Sequence, residues 1–140
     1  MNITLDLKVV MDTNVFISGI FFSGPPYQIL KAWQSGMIEL VVSQEILDEY
    51  QRVGQILAEE RRSIDLKPIL NFVIERAKVY KPAKLIRPVC EDPDDDKFIA
   101  CALASGSGVI ISGDRHLLNV SGYQGIEVLK PRQFVDRYLG

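Results

Sequence analysis

The sequence predicts an α/β domain whose parallel strands are covered by helices on both faces. Two observations carry this. Short apolar runs rich in β-branched residues stand at 7–11, 38–42, 109–111 and 126–129, the length of buried strands. Helical patterns lie between them, and strands alternating with helices imply right-handed crossovers and a parallel sheet. With 140 residues, 47% of them hydrophobic, the chain can bury one core but not two, so a single domain over 1–140 is expected.

The first strand, 7–11, ends at Asp12. Gly19, Gly24, Pro25 and Pro26 then mark residues 16–26 as a loop, with a helix beginning at Pro25 or Pro26 and closed by Gly36. After the second strand, Ser43 is placed as the N-cap of a helix over 44–57, whose buried stripe is Ile46, Tyr50, Val53 and Leu57. The polar stretch 58–65 reads as a turn before a further helix at about 66–77 and a short extended piece near Val79 and Tyr80. Asp92-Pro93 opens the next helix, with Asp92 at the N-cap and Pro93 at the first helical position. That helix is apolar on nearly every side from Phe98 to Ala104, which places it centrally. The strand at 109–111 ends in Ser112-Gly113-Asp114, and after the strand at 126–129 a last helix spans 131–139.

Composition narrows the function. No run is long and apolar enough for a membrane helix and the first residues lack the pattern of a secretion signal, so a cytoplasmic protein with no membrane partner is expected. Cys90 and Cys101 fit neither a zinc nor a redox motif and read as reduced, structural thiols. One histidine, His116, excludes a histidine-rich zinc site, and as a lone histidine it reads as a surface or helix-start residue. No glycine-rich loop has the spacing that cradles nucleotide phosphates. The net charge of −2 argues only weakly against a polyanionic substrate: if five of the eighteen acids share one metal site, the remaining surface carries +3.

The acids carry the functional signal. Functional groups of an open parallel sheet gather beyond the carboxyl ends of its strands. Asp12 and Asp114 each follow a buried strand, and the helix opening at Asp92 brings Asp94, Asp95 and Asp96 to the same edge. Glu49 lies between Ile46 and Val53 on its helix, so it flanks the buried stripe and needs a partner. Arg52 is on a different face by spacing, which leaves a cation held by the acidic cluster as the expected partner. Each position also has a plainer use: Asp12 capping a turn with Asn14, Asp92 and Asp94 serving the helix start, Asp114 capping a short helix, Glu49 in solvent. An all-oxygen set suits Mg²⁺ or Mn²⁺, one ion or two, and the chemistry of such a site is phosphodiester hydrolysis.

In 9–14 (Val-Val-Met-Asp-Thr-Asn), in 40–43 with 46–50, in 92–99 (Asp-Pro-Asp-Asp-Asp-Lys-Phe-Ile) and in 111–114, the chain resembles the PIN-domain family, most of all the toxins of toxin–antitoxin systems. The resemblance implies an α/β/α sandwich and a metal-dependent endoribonuclease, with Asp12, Glu49 and Asp114 as metal ligands supported by Asn14 and Ser112. For the third acid it offers Asp95, preferred because relatives read Asp-Pro-Asp-Asp-Asn, and Asp96, which other branches favour. It also implies an RNA substrate, frequent homodimers and an antitoxin protein blocking the acidic cleft. Aspartyl-phosphate chemistry is disfavoured, since Asn14 stands where a dehalogenase-like phosphatase needs a second Asp. A non-catalytic RNA-binding or complex-forming relative is the other reading, and its mark, a missing acid, is absent.

Overall fold

Lys8–Met11, the strand β1, has three successive residues with no solvent exposure, Val9, Val10 and Met11. Successive strand residues point to opposite faces, so both faces of the sheet are covered at this strand. In the computed structural model, which describes residues 5–61 and 65–140, four further strands join it. They are β2 (Glu39–Val42), β3 (Lys78–Val79), β4 (Val109–Ile111) and β5 (Glu127–Leu129). All pair in parallel in the order β3-β2-β1-β4-β5. Among the described residues, seven α-helices complete a three-layer α/β arrangement: α1 (Thr13–Phe21), α2 (Pro25–Gln34), α3 (Gln44–Glu60), α4 (Lys67–Arg76), α5 (Asp96–Ser105), α6 (Arg115–Leu118) and α7 (Pro131–Phe134). None of the described helices is long and apolar enough to cross a membrane.

The strand order places a switch point beside β1. From β1 the chain winds outward through β2 and β3, then returns to lay β4 on the other side, in register Met11 to Ile111. Crevices of open α/β sheets form where the winding reverses, so the ends of β1 and β4 bound the natural site.

One element departs from the sequence expectation. The loop expected at 16–26 is mostly helix α1, which starts at Thr13 and runs to Phe21. Asp12 caps it by accepting from the Val15 amide at 2.8 Å. Gly19, which suggested a loop, is instead a contact point: a Cβ there would lie 2.6 Å from Leu30 Cδ1 and 2.8 Å from the Pro26 carbonyl oxygen. Its lack of a side chain lets α1 press against α2. Gly19→Ala is expected to destabilise the fold by about 1–3 kcal/mol through this overpacking, measurable as a lowered urea midpoint.

The remaining differences are smaller. Helix α3 continues to Glu60, so the turn expected at 58–65 begins only at Arg61, and its residues 62–64 lie outside the described residues. Asp92 caps a single 3₁₀ turn, Pro93–Asp95, which leads into α5. The last helix holds over its expected length but relaxes into a π-helical turn at Val135–Leu139. Cys90 and Cys101 are buried free thiols, each pushed up to about 12 chiefly by burial. Such thiols are unreactive.

Candidate metal centre

Asp12 is the first residue beyond β1, and its backbone stays in the sheet ladder by donating to the Ile111 carbonyl at 3.0 Å. The side chain is therefore held at the sheet edge, 4% exposed. One carboxylate oxygen caps α1 and the other accepts from the Ser112 hydroxyl. Ser112 follows β4, is wholly buried, and accepts in turn from the Asp114 amide at 2.9 Å. The serine thus ties together the acids that end β1 and β4. Asp114 also caps α6, accepting from the His116 amide at 3.0 Å.

Helix α5 brings the third acid. Asp95 stands at the end of the 3₁₀ turn, and its Oδ2 is buried without a hydrogen-bond partner among the described residues. His116 Nδ1 lies 3.7 Å from this oxygen and equally far from Asp114 Oδ1. Asp96, the alternative, faces elsewhere: it accepts from the Val89 amide at 3.2 Å and the Cys90 amide at 2.7 Å, so its work is to hold the preceding loop.

Electrostatics report the crowding. Burial raises the Asp12 carboxyl to about 6, with Asp114 and Glu49 adding repulsion and the bonds from Ser112 and Val15 opposing it. Asp95 is raised to about 7 by burial and by Asp114 and Asp92, with His116 opposing. An orphaned buried oxygen on Asp95, an acid that like Asp12 is pushed toward neutrality, fits a site that takes up a cation. A stability consequence follows with a definite sign. Both carboxyls hold protons in the fold at pH values where the unfolded chain, near 3.8, has lost them. The metal-free protein is therefore expected to lose stability as pH rises from about 4 to about 7, because the unfolded state binds fewer protons across that window. Melting temperatures in chelator should be lower at pH 8 than at pH 5, and a divalent ion should recover the loss at pH 8.

Glu49 is brought to the same neighbourhood but its partner is not the one the sequence suggested. Its Oε2 accepts from the Thr13 hydroxyl, one residue beyond Asp12, and its Oε1 pairs with Lys97 Nζ at 3.0 Å. Arg52, which spacing had placed on a different face, reaches the same oxygen at 3.6 Å from an exposed position. Lys97 thus gives Glu49 a side-chain cation as a partner. Lys97 also pairs with Asp94 at 3.1 Å, and although burial works against its charge, Glu49 and Asp94 hold the ammonium above its ordinary pKa. Glu49, Asp94 and Lys97 line one depression, and Asp12, Asp114 and His116 help to line a separate cleft.

That cleft, about 700 Å³, is lined by Asp12, Asn14, Ser18, Asp92, Asp114 and Arg115 among others. Asp92, Asp95 and His116 can bring one ligand atom each to within 4.8 Å of one another. His116 is a helix-start residue as expected, in the first turn of α6 and 26% exposed at its side chain, and it stands beside the acids. Sequence reasoning missed Lys97, Thr13 and the place of His116, because each meets its partners only through the tertiary fold. Lys97 alone left a trace, the i, i+3 spacing from Asp94.

The comparison with known proteins agrees with this geometry. An uncharacterized protein of Methanocaldococcus jannaschii is 28% identical over 149 aligned positions, covering 96% of this chain and 93% of its own length. The PIN-domain model matches residues 8–116, a span that begins with β1 and ends at His116, just after the last acid of the cleft. PIN domains are generally nucleases that bind divalent metal ions through an acidic cluster. With a parallel sheet switching at β1, acids at the ends of β1 and β4, and a match over most of its length, this chain belongs to the PIN-domain family.

Proposed function

We propose that this protein is a divalent-metal-dependent endoribonuclease whose ligands are Asp12, Asp95 and Asp114, with Glu49 in support. The observation that carries the reading is the Asp95 oxygen beside Asp114 that is buried without a hydrogen-bond partner among the described residues; burial chiefly, with Asp114 adding repulsion, raises both Asp95 and Asp12. When bound, Mg²⁺ or Mn²⁺ supplies charge neutralisation at the phosphodiester and lowers the pKa of the attacking water. The chain's own groups do the rest. Ser112 orients Asp12, the α1 amide of Val15 fixes its other oxygen, and Asn14, Ser18 and Arg115 offer polar contacts to an RNA strand along the cleft. Asp96 is left out of the ligand set because the Val89 and Cys90 amides already engage it.

In its fuller form the proposal makes the protein the toxin of a toxin–antitoxin pair, acting as a cytoplasmic homodimer, with an antitoxin segment covering the acidic cleft. The test incubates the purified protein with structured and unstructured RNAs in Mn²⁺, in Mg²⁺ and in chelator, beside Asp12→Asn. Cutting that requires the ion and disappears in the variant supports the nuclease reading. Ion-dependent cutting that persists in Asp12→Asn places the activity elsewhere, and Mn²⁺ uptake without any cutting favours a binding-only protein.

A further inference from the structure

We infer that Lys97 is a positioning residue of the acidic centre: its buried ammonium holds Glu49 and the first turn of α5 in place and cancels one negative charge of the cluster. The inference rests on the nuclease reading for its catalytic consequence but not for its structural core.

The ammonium has three N–H donors and three acceptors within reach. These are the Asp94 carbonyl at 2.6 Å, Glu49 Oε1 at 3.0 Å and Asp94 Oδ1 at 3.1 Å, with the side chain 4% exposed. Its nitrogen also lies 5.1 Å from the Phe98 ring centroid. A lysine so enclosed is fixed in position and not a swinging surface charge. Replacing a buried ion pair by apolar groups of similar volume is often neutral for stability, so the pair is weakly explained by folding alone.

Its consequences for the site follow from chain connectivity. Glu49 is gripped at both oxygens, by Lys97 on one side and by the Thr13 hydroxyl on the other, and Thr13 is bonded through its peptide to Asp12. On α5, Asp96 is anchored to the Val89 and Cys90 amides and Lys97 to Glu49. Asp95 directly precedes this anchored pair, so the turn that carries its unpartnered oxygen is held from two directions. The charge balance matters as well. With Glu49 paired to Lys97, the carboxylates of the acidic centre that have no lysine or arginine partner among the described residues are those of Asp12, Asp92, Asp95 and Asp114.

The test has a readout that needs neither metal nor activity. In the metal-free protein the Lys97 ammonium should give a ¹H–¹⁵N signal protected from solvent exchange, and Glu49→Gln should abolish it. An unprotected signal in the wild type overturns the inference. In Lys97→Met the cluster gains one net negative charge, so calorimetry should show Mn²⁺ binding about tenfold tighter at low ionic strength. At the same time kcat should fall by about 10–100-fold with KM for RNA unchanged, the scale seen when a group orienting metal ligands is lost. Lys97→Arg should return Mn²⁺ affinity to the wild-type value. Unchanged Mn²⁺ affinity in Lys97→Met overturns the inference. Where that variant does not fold, Lys97→Met with Glu49→Gln leaves no buried charge unpaired. Its kcat should equal that of Glu49→Gln alone, and a further multiplicative loss overturns action through Glu49. A protected ammonium in a protein that cuts no RNA would sink the nuclease proposal while leaving the positioning role in place.

Discussion

Asp12→Asn is expected to abolish metal-dependent RNA cleavage, by about 1,000-fold or more, while making the metal-free protein more stable. The loss follows from removing a charged ligand, a contribution of several kcal/mol to neutralising the reacting phosphodiester, at 1.36 kcal/mol per tenfold in rate. The gain follows from burial. Asp12 is 4% exposed and its carboxyl is raised from 3.8 to about 6, so keeping it ionised in the apo fold costs about 3 kcal/mol above pH 6. Asparagine keeps the oxygen that accepts from Val15, and the Ser112 hydroxyl can accept where it now donates. The fold therefore survives with the charge removed. Thermal melts in chelator should show the variant several degrees above wild type at pH 8, with the gap closing toward pH 4. Calorimetry with Mn²⁺ should show uptake lost. A variant that is less stable than wild type at pH 8 would refute the account of a strained buried acid.

Phe16→Ala is expected to cost about 3–5 kcal/mol, the range for deleting a fully buried aromatic ring. Phe16 has no solvent exposure and lies stacked on Tyr50, with ring centroids 4.1 Å apart and planes 5° from parallel. The Tyr50 hydroxyl donates to the Met11 carbonyl at 2.5 Å, the last residue of β1 before Asp12. This pair joins α1 and α3 beneath the acid that ends β1, so the cavity left by alanine opens directly under the site. Chemical denaturation should show the lost stability as a lower midpoint with an unchanged slope. At temperatures where the variant stays folded, cleavage should fall as well, because the Met11–Asp12 backbone loses its support. A cost below about 1 kcal/mol would mean that α1 does not depend on this stack.

Much of this molecule was legible before any coordinates. Four of the five described strands announced themselves as short apolar runs, because a parallel strand buried on both faces has no polar alternation to disguise it. The exposed edge strand β3 left only an extended piece near Val79 and Tyr80. Caps were equally readable: Ser43 opens α3 by accepting from the Ile46 amide, and Asp92 opens the turn before α5, since these end groups are satisfied by residues three or fewer positions away. The error at α1 came from the same local rules. Glycine inside a helix is disfavoured when only propensity is counted, and no local signal shows that Leu30 and Pro26 will press against Gly19 from a second helix.

What the sequence alone determined was the fold class and the delivery of Asp12, Asp114 and the acids of 92–96 toward one sheet edge, because strand ends and helix starts are local events on a fixed topology. Tertiary structure decided how those acids are used. It turned Asp96 to the backbone of its own loop, brought Lys97 against Glu49 across 48 residues, and set His116 between Asp95 and Asp114. The physical reason is that charge pairing depends on distance and burial, and both are settled only when distant elements pack together.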